Sequence, residues 1–190
     1  MFLTKVEIAD QRLLTSFYAL HGFVYNLFPQ GVKKINRADA AAAAILYRLE
    51  KGSAPYVLIQ SRIAPLWGEV KAFDPALRPG RQYWFRLRAN VTRRDERKRR
   101  VAIHPIEEQM EWLENRTQGG GFSCAQVNII ERPGVTYAEK DPTLADIAIN
   151  PVTFEGVLRV DNPDLFGQTL TCGLGSAKGF GCGLFSLAAL

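Results

Sequence analysis

Alternating apolar and polar residues predict strands in both halves of the chain. Residues 2–8 alternate with a period of two, and in residues 83–89 apolar side chains face away from Arg86 and Arg88. This period places successive side chains on opposite faces of a sheet, so both segments read as half-buried strands. Residues 38–50 fit either a helix or a strand, and we predict a strand from about Ile45. Further strands are predicted at residues 56–63, 122–130, 154–160 and behind the last glycines.

Apolar residues spaced three and four apart predict three longer helices. The first begins near Ser16 and stops at Pro29, and a stripe of Tyr18, His21 and Tyr25 runs beside its buried face. The second follows Pro105 and ends at the glycines of residues 119–121, and the third follows Pro163. His21 should therefore lie at the rim of the core, where a side chain is both oriented and accessible.

The order of these elements predicts an α+β protein. The chain begins with a strand, a helix, two strands, a connection and a strand, and then approximately repeats this order. Residues 64–80 are predicted to be mostly loop, and residues 131–151 to be a hairpin or a mobile loop. This order is that of two tandem ferredoxin-like βαββαβ units. We place the first unit at residues 1–92 and the second at residues 93–190.

Glycines concentrate in the last eighteen residues, which read GLGSAKGFGCGLFSLAAL. Two interpretations stay open: a loop whose backbone amides contact phosphate, or a tight connection between a helix and the last strand. A Walker A loop is excluded because Lys178 precedes Gly179 and Phe180 instead of Ser or Thr. A dinucleotide fingerprint is excluded because Lys178 stands where its third glycine belongs.

Composition narrows the class of protein. The chain has 190 residues, 47% hydrophobic and 23% charged, and no apolar run approaches the ~18 residues of a membrane span. Because the first ten residues alternate like a strand instead of forming a signal peptide, we predict a cytoplasmic protein. Cys124, Cys172 and Cys182 lack CxxC spacing, so they indicate packing rather than a disulfide framework or zinc site.

The positive charge is concentrated in one short segment. Residues 93–100, RRDERKRR, carry six basic and two acidic side chains, a net charge of +4 out of +5 for the whole chain. Such a patch indicates a polyanionic partner, whereas an isolated run can also be a solvated turn. Nucleic acid is the favoured partner, because the preceding strand carries Arg86 and Arg88 as well.

Two histidines limit the acid–base chemistry. His104 stands beside Pro105 at a helix start and is interpreted as structural, whereas His21 is bracketed by Tyr18 and Tyr25. A metal hydrolase is disfavoured because no HxH or HExxH motif is present, and no metal or cofactor is expected. One histidine, one tyrosine and nearby cations suit RNA cleavage, since RNA supplies its own nucleophile, the 2′-OH. The products would be a 2′,3′-cyclic phosphate and a 5′-OH.

Six stretches together resemble the CasE (Cse3) type of CRISPR repeat endoribonuclease, which processes pre-crRNA within type I-E Cascade. They occur in family order over nearly the whole chain: MFLTKVEI, FYALHGFVYNLFP, WFRLRANVTRRDERKRRVAI, EEQMEWL, FEGVLRV and GSAKGFGCGLFSLA. The family has two ferredoxin-like domains and cuts repeat RNA beside its stem-loop without a metal. The resemblance thus implies repeat RNA and other Cascade subunits as partners, and no membrane.

By this resemblance His21 is the catalytic histidine and Tyr18 its partner in the active site. The resemblance leaves open which of the two acts as base and which as acid, and we favour His21 as the proton-transferring group and Tyr18 as an orienting or activating hydroxyl. The residues implied to bind RNA are Arg86, Arg88, Arg93, Arg94, Arg97, Lys98, Arg99, Arg100, Gly173, Gly175, Lys178, Gly179, Gly181 and Gly183. Gly22 stands where some relatives have a basic or amide residue. The alternative function is a non-catalytic module that binds an RNA hairpin, with His21 and Tyr18 only packing.

Overall fold

The structure, a computed structural model, describes residues 1–29, 44–134, 136–138 and 147–190. Its first part forms a four-stranded antiparallel sheet in the order β2-β3-β1-β4. The elements of this part are β1 (Phe2–Glu7), α1 (Arg12–Thr15), α2 (Phe17–Asn26), β2 (Leu46–Glu50), β3 (Tyr56–Ser61) and β4 (Glu69–Ala72). The segment of residues 38–50, as far as it is described, is therefore a strand where we predicted one.

The second part forms another four-stranded antiparallel sheet, in the order β12-β5-β11-β8, and two small hairpins, β6 with β7 and β9 with β10. Its elements are β5 (Gln82–Asn90), β6 (Thr92–Arg94), β7 (Arg100–Ala102), α3 (Ile106–Gly120), β8 (Phe122–Glu131), β9 (Thr136–Ala138), β10 (Ile147–Ile149), β11 (Pro151–Val160), α4 (Pro163–Cys172) and β12 (Phe185–Ala189). A 3₁₀ turn, Lys178–Phe180, precedes the last strand.

Both sheets have the strand order of a ferredoxin-like unit, which confirms the predicted fold class. In the second unit β5, β8, β11 and β12 are its four strands, and α3 and α4 are its two crossover helices. In the first unit α2 follows β1, but residues 62–68, all of them described, contain no second helix. The first unit is thus a shortened version of the second.

The predicted assignment of the strand at residues 83–89 needs correction. We expected it to close the first unit, but β5 pairs with β11 and β12 in the second sheet. The first sheet is closed by β4, which pairs with β1. β4 lies within residues 64–80, the segment predicted to be mostly loop. β4 has four residues, EVKA, and all four are exposed, so it has no buried face that would mark it as a half-buried strand. The two sheets therefore divide between Ala72 and Gln82, not after residue 92.

Each sheet buries one face under helices. The core of the first unit joins Leu20, Val24 and Leu27 of the α2 region to apolar side chains of β1, β2 and β3. In the second unit, Leu113 of α3 and Phe166 of α4 belong to one cluster with Phe85, Phe154 and Phe185 from three strands. The apolar residues predicted to face inward from β5 are all buried, as the pattern of β5 shows.

Arg48 of β2 ties the two sheets together. Its side chain is 4% exposed and forms an ion pair with Glu50 at 2.6 Å. The guanidinium also donates to the carbonyls of Arg86 at 3.1 Å and Leu184 at 3.3 Å, and to Ser186 Oγ at 2.5 Å. Because Ser186 lies on β12 and Arg86 on β5, a single buried cation fixes the first sheet against the second.

Two further findings bear on the sequence predictions. The packing role predicted for the cysteines holds for Cys182, which is buried, but not for Cys172, which is exposed. Within the described ranges we find no helix with the length and apolar character needed to cross a membrane.

Candidate functional site

Helix α2 presents His21 toward the C-terminal turn. The helix begins at Phe17 because Ser16 caps it, with Ser16 Oγ accepting from the backbone N–H of Ala19 at 3.2 Å. Leu20 and Val24 anchor its inner face in the core. His21 follows Leu20 by 100° around the helix, so it stands beside that buried face and is half-buried, as the spacing predicts.

The glycine segment folds back on itself to form this turn. Gly173, Gly175, Gly181 and Gly183 all have positive φ angles, between 72° and 93°. Such angles favour glycine because a Cβ would crowd the backbone there. The backbone N–H of Leu174 donates to the carbonyl of Gly183 at 3.0 Å, which closes the loop. The carbonyl of Gly179, at the middle of the 3₁₀ turn, then faces α2.

His21 is held by that carbonyl. Nδ1 of His21 lies 2.8 Å from the carbonyl oxygen of Gly179, 158 residues away in the chain. Because a carbonyl oxygen only accepts hydrogen bonds, Nδ1 carries the hydrogen. In the neutral ring Nε2 then keeps its lone pair and is the atom that can take a proton. The hydrogen bond thus orients the ring and selects the tautomer of a general base.

Tyr47 of β2 donates its hydroxyl hydrogen to the same Gly179 carbonyl. Its side chain is fully buried, and burial raises the pKa of Tyr47 far above the ordinary value, so the phenol stays protonated as a donor. One carbonyl therefore accepts from both a helix residue and a strand residue of the first unit. This contact fixes the turn against the first unit on the side where His21 lies.

An aromatic cluster surrounds the imidazole. The ring of Phe180 lies edge-on to Tyr18, with centroids 5.2 Å apart, and 6.2 Å from the ring of His21. On the other side, the ring of Tyr25 lies 4.4 Å from His21. Tyr18 and His21 are therefore neighbours through Phe180, and both are half-buried. The structure brings together the two residues that the sequence singled out for chemistry.

The glycine amides are partly engaged within the protein. The N–H groups of Gly173, Gly181 and Gly183 donate to the carbonyls of Thr169, Lys178 and Arg88. Their positive φ angles shape the turn, so the tight-connection interpretation describes these three glycines well. Lys178 is half-buried, and burial lowers its pKa. RNA contact stays a prediction for the whole segment.

The basic run forms a short hairpin. Residues 92–94 and 100–102 pair as β6 and β7, and the turn between them is stabilised by Asp95, which accepts from the backbone N–H of Arg99 at 2.8 Å. Arg93 pairs with Glu108 of α3 at 2.6 Å, with both side chains largely exposed. Every basic residue of the run is exposed. At its base, Asn90 bridges to Ser176 and so places the hairpin next to the glycine segment.

The side chains of Arg86 and Arg88 lie closer to carboxylates than their alternation with apolar residues indicated. Arg86 forms ion pairs with Glu50 at 3.1 Å and with Glu155. Arg88 lies 4.0 Å from Glu131, and its side chain is only 11% exposed. A phosphate bound at Arg86 would have to share the guanidinium with two carboxylates. RNA contact stays a prediction for both arginines.

Sequence reasoning missed three residues at or next to this site. Tyr47, Phe180 and Arg48 lie within predicted elements or the glycine segment, but their partners are distant in the chain: Tyr47 bonds a carbonyl 132 residues away. The one available signal was the pair of hydrogen-bonding side chains at 47 and 48, which stand between Leu46 and Leu49 in β2.

The described residues contain no cluster of potential metal ligands. Across residues 1–29, 44–134, 136–138 and 147–190, no three His, Cys, Asp or Glu side chains lie close enough together to hold a metal ion. The groups assembled around the turn are the imidazole of His21, the phenols of Tyr18, Tyr25 and Tyr47, and the carbonyl of Gly179. The cations of the glycine segment and the basic hairpin belong to the second unit.

The chain matches a family model described as "CRISPR associated protein" over residues 1–189. It is 32% identical to the CRISPR-associated endoribonuclease Cse3 of Thermus thermophilus, with 99% of this chain and 100% of the relative covered. It is 34% identical to the CRISPR system Cascade subunit CasE of Escherichia coli, with both chains covered completely. A solved structure of a Cse3 endoribonuclease bound to a 19-nucleotide RNA superposes with a TM-score of 0.81 at 32% identity, covering 99% of this chain and 100% of that one.

Proposed function

Since the chain belongs to the CRISPR-associated protein family and is of the Cse3/CasE type, as the sequence resemblance predicted, we propose that it is an endoribonuclease that cleaves CRISPR repeat RNA. It binds the repeat stem-loop and converts pre-crRNA into crRNA. The RNA-bound Cse3 structure supports RNA as the ligand, because this chain matches it along its whole length. The name of the E. coli relative supports membership of a Cascade complex. We place that complex in the cytoplasm, as the sequence predicted.

The observation that carries the catalytic assignment is the hydrogen bond between His21 Nδ1 and the Gly179 carbonyl. It leaves Nε2 as the proton acceptor for a ribose 2′-OH. The 2′ oxygen then forms a bond to the adjoining phosphorus while the bond from phosphorus to the 5′ oxygen breaks. The proton passes to that 5′ oxygen, which gives a 2′,3′-cyclic phosphate and a 5′-OH.

Tyr18 acts in this scheme as an orienting hydroxyl. Its ring is fixed against Phe180, which also contacts the His21 ring. Positive charge from Lys178 and the basic hairpin offsets the charge that develops on the phosphorane oxygens. The reaction therefore needs no metal ion.

One experiment separates this nuclease from an RNA-hairpin binder that only packs His21 and Tyr18. The protein is mixed in excess with repeat RNA in EDTA, and the products are resolved beside a matched RNA with a 2′-deoxy sugar just 5′ of the cleaved bond. We expect cyclic-phosphate product from the first RNA and none from the second, because the nucleophile is missing. Equal cleavage of both RNAs would contradict the 2′-OH mechanism, and binding without any product would favour the binder.

Neutralising the exposed hairpin should weaken RNA binding. Replacing Arg97, Lys98, Arg99 and Arg100 together by glutamine removes charges that release counterions from RNA. We expect a higher Kd and a salt dependence whose log–log slope is smaller by up to about 0.7–0.9 for each phosphate that the variant no longer neutralises. Arg99 should contribute least, since it already pairs with Asp95 at 2.8 Å.

The matched control neutralises four exposed cations of the first unit instead: Lys5, Arg12, Arg62 and Lys71. This variant changes the net charge by the same amount, so it reports the long-range part of the electrostatic attraction. If the two variants show the same Kd and salt slope, the hairpin is a solvated turn and not an RNA contact.

A further inference from the structure

A pocket of 260 Å³ lies next to the candidate active site. It is bounded by α1, the start of α2, the end of β2 and the C-terminal turn. Its apolar lining residues come from both units: Leu13, Leu14, Phe17, Leu20, Leu49 and Phe180. This volume is close to the lower end of small-molecule pockets, about 300 Å³, and suits one flat ring system.

Phe180 belongs both to this pocket and to the aromatic cluster beside the catalytic pair. It lines the pocket, and its ring centroid lies 5.2 Å from that of Tyr18 and 6.1 Å from that of Phe17. Since His21 also lies 6.2 Å from Phe180, the pocket is one aromatic ring away from the imidazole. We take a scissile phosphate at His21 as the premise: a base next to it would then lie one residue, Phe180, away from this pocket.

Two cations, Lys51 and Arg88, line the pocket together with the hydroxyl residues Thr15 and Ser16. Lys51 is exposed, whereas Arg88 is mostly covered and lies 4.0 Å from Glu131. An apolar, aromatic interior with positive charge beside it matches a nucleotide, whose base is flat and apolar on its faces and whose phosphate is anionic.

We propose that this pocket binds the base of one unpaired nucleotide adjoining the bond cleaved at His21, stacked against Phe17 and Phe180, with Lys51 contacting its phosphate. The proposal rests on the proposed function, and it adds a substrate feature to that site. The nucleotide must be unpaired, because a base within a duplex is stacked on both faces and hydrogen-bonded along its edge.

Phe17 offers a direct test, because it lines the pocket and its ring packs edge-on against Phe180. Phe17→Leu keeps an apolar side chain but removes the π face on which a base stacks. Phe23→Leu is the matched control: it makes the same change on the same helix, where Phe23 packs against Trp67 at 5.7 Å between centroids instead.

The experiment measures Kd for repeat RNAs that lack one base at a time within two nucleotides of the cleaved bond on each side. All proteins carry His21→Ala, so RNA stays intact and binding is measured separately from cleavage. We expect one abasic position to raise Kd by roughly 5- to 150-fold, the range for losing one stacked base. In the Phe17→Leu protein the same abasic position should raise Kd little further. In the Phe23→Leu protein it should raise Kd by its full factor.

Two results would overturn the proposal. Either no abasic position raises Kd, or the abasic and Phe17→Leu effects simply multiply, which would mean that base and ring do not meet. Failure of the proposed nuclease would appear elsewhere, as RNA left intact by the wild-type protein. Folding of Phe17→Leu is checked by its urea midpoint beside that of Phe23→Leu.

Discussion

Replacing His21 by alanine is expected to lower single-turnover cleavage of repeat RNA by about 10²- to 10⁴-fold, the usual range for a lost general acid–base group. The change removes the Nε2 acceptor and the hydrogen bond to Gly179, but Tyr47 still holds that carbonyl. The turn should therefore keep its place and RNA binding should survive. Rates are measured with the protein in excess, in EDTA, and Kd is measured on the same samples.

His104→Ala is the matched control. His104 is the other histidine of the chain, lies exposed just before α3, and should have no effect on the rate. If His21→Ala cleaves at the wild-type rate, the imidazole is a packing residue and the catalytic assignment is wrong. If instead cleavage and binding fall together, His21 acts mainly by positioning the turn.

Replacing Arg48 by alanine should destabilise the fold by about 3–5 kcal/mol, the range for removing one partner of a buried ion pair. The change leaves Glu50, whose side chain is 16% exposed, with Arg86 as its remaining ion-pair partner in the described structure. It also leaves the carbonyl of Leu184 without its buried guanidinium donor. Urea unfolding followed by circular dichroism gives the change in the free energy of unfolding.

Arg12→Ala is the control for this measurement. Arg12 also pairs with a nearby carboxylate, that of Asp10 at 2.7 Å, but its side chain is 86% exposed. Solvent screens that pair, so its loss should leave the urea midpoint unchanged. An Arg48→Ala midpoint equal to that of Arg12→Ala would show that the cation between the sheets contributes nothing net to the fold.

The position of the candidate site was partly readable from local pattern. Helical spacing alone placed His21 beside the apolar face of α2, and the structure finds it half-buried there. The turn opposite it was identified from its glycines, four of which have positive φ angles. Both findings depend on neighbours within a few residues, which is the range over which periodicity and turn chemistry carry information.

Local pattern did not show to which of the two sheets a strand belongs. The alternation in β5 correctly predicted which of its side chains are buried, but gave no information on which sheet they are buried in. Pairing with β11 and β12, more than sixty residues downstream, decided that. Because β4 has only four residues and all of them are exposed, the longer alternation of β5 predicts β5 in its place as the closing strand of the first sheet.

The sequence by itself determined the fold class, the family and the exposure of His21, because each follows from local spacing or from motifs read in order. Only the tertiary structure decided that Gly179 bonds both His21 and Tyr47, and that Arg48 joins the two sheets. A hydrogen bond depends on two atoms meeting within about 3 Å. Periodicity specifies which face of an element is buried, and the partner on the opposing face is fixed only when the whole chain packs.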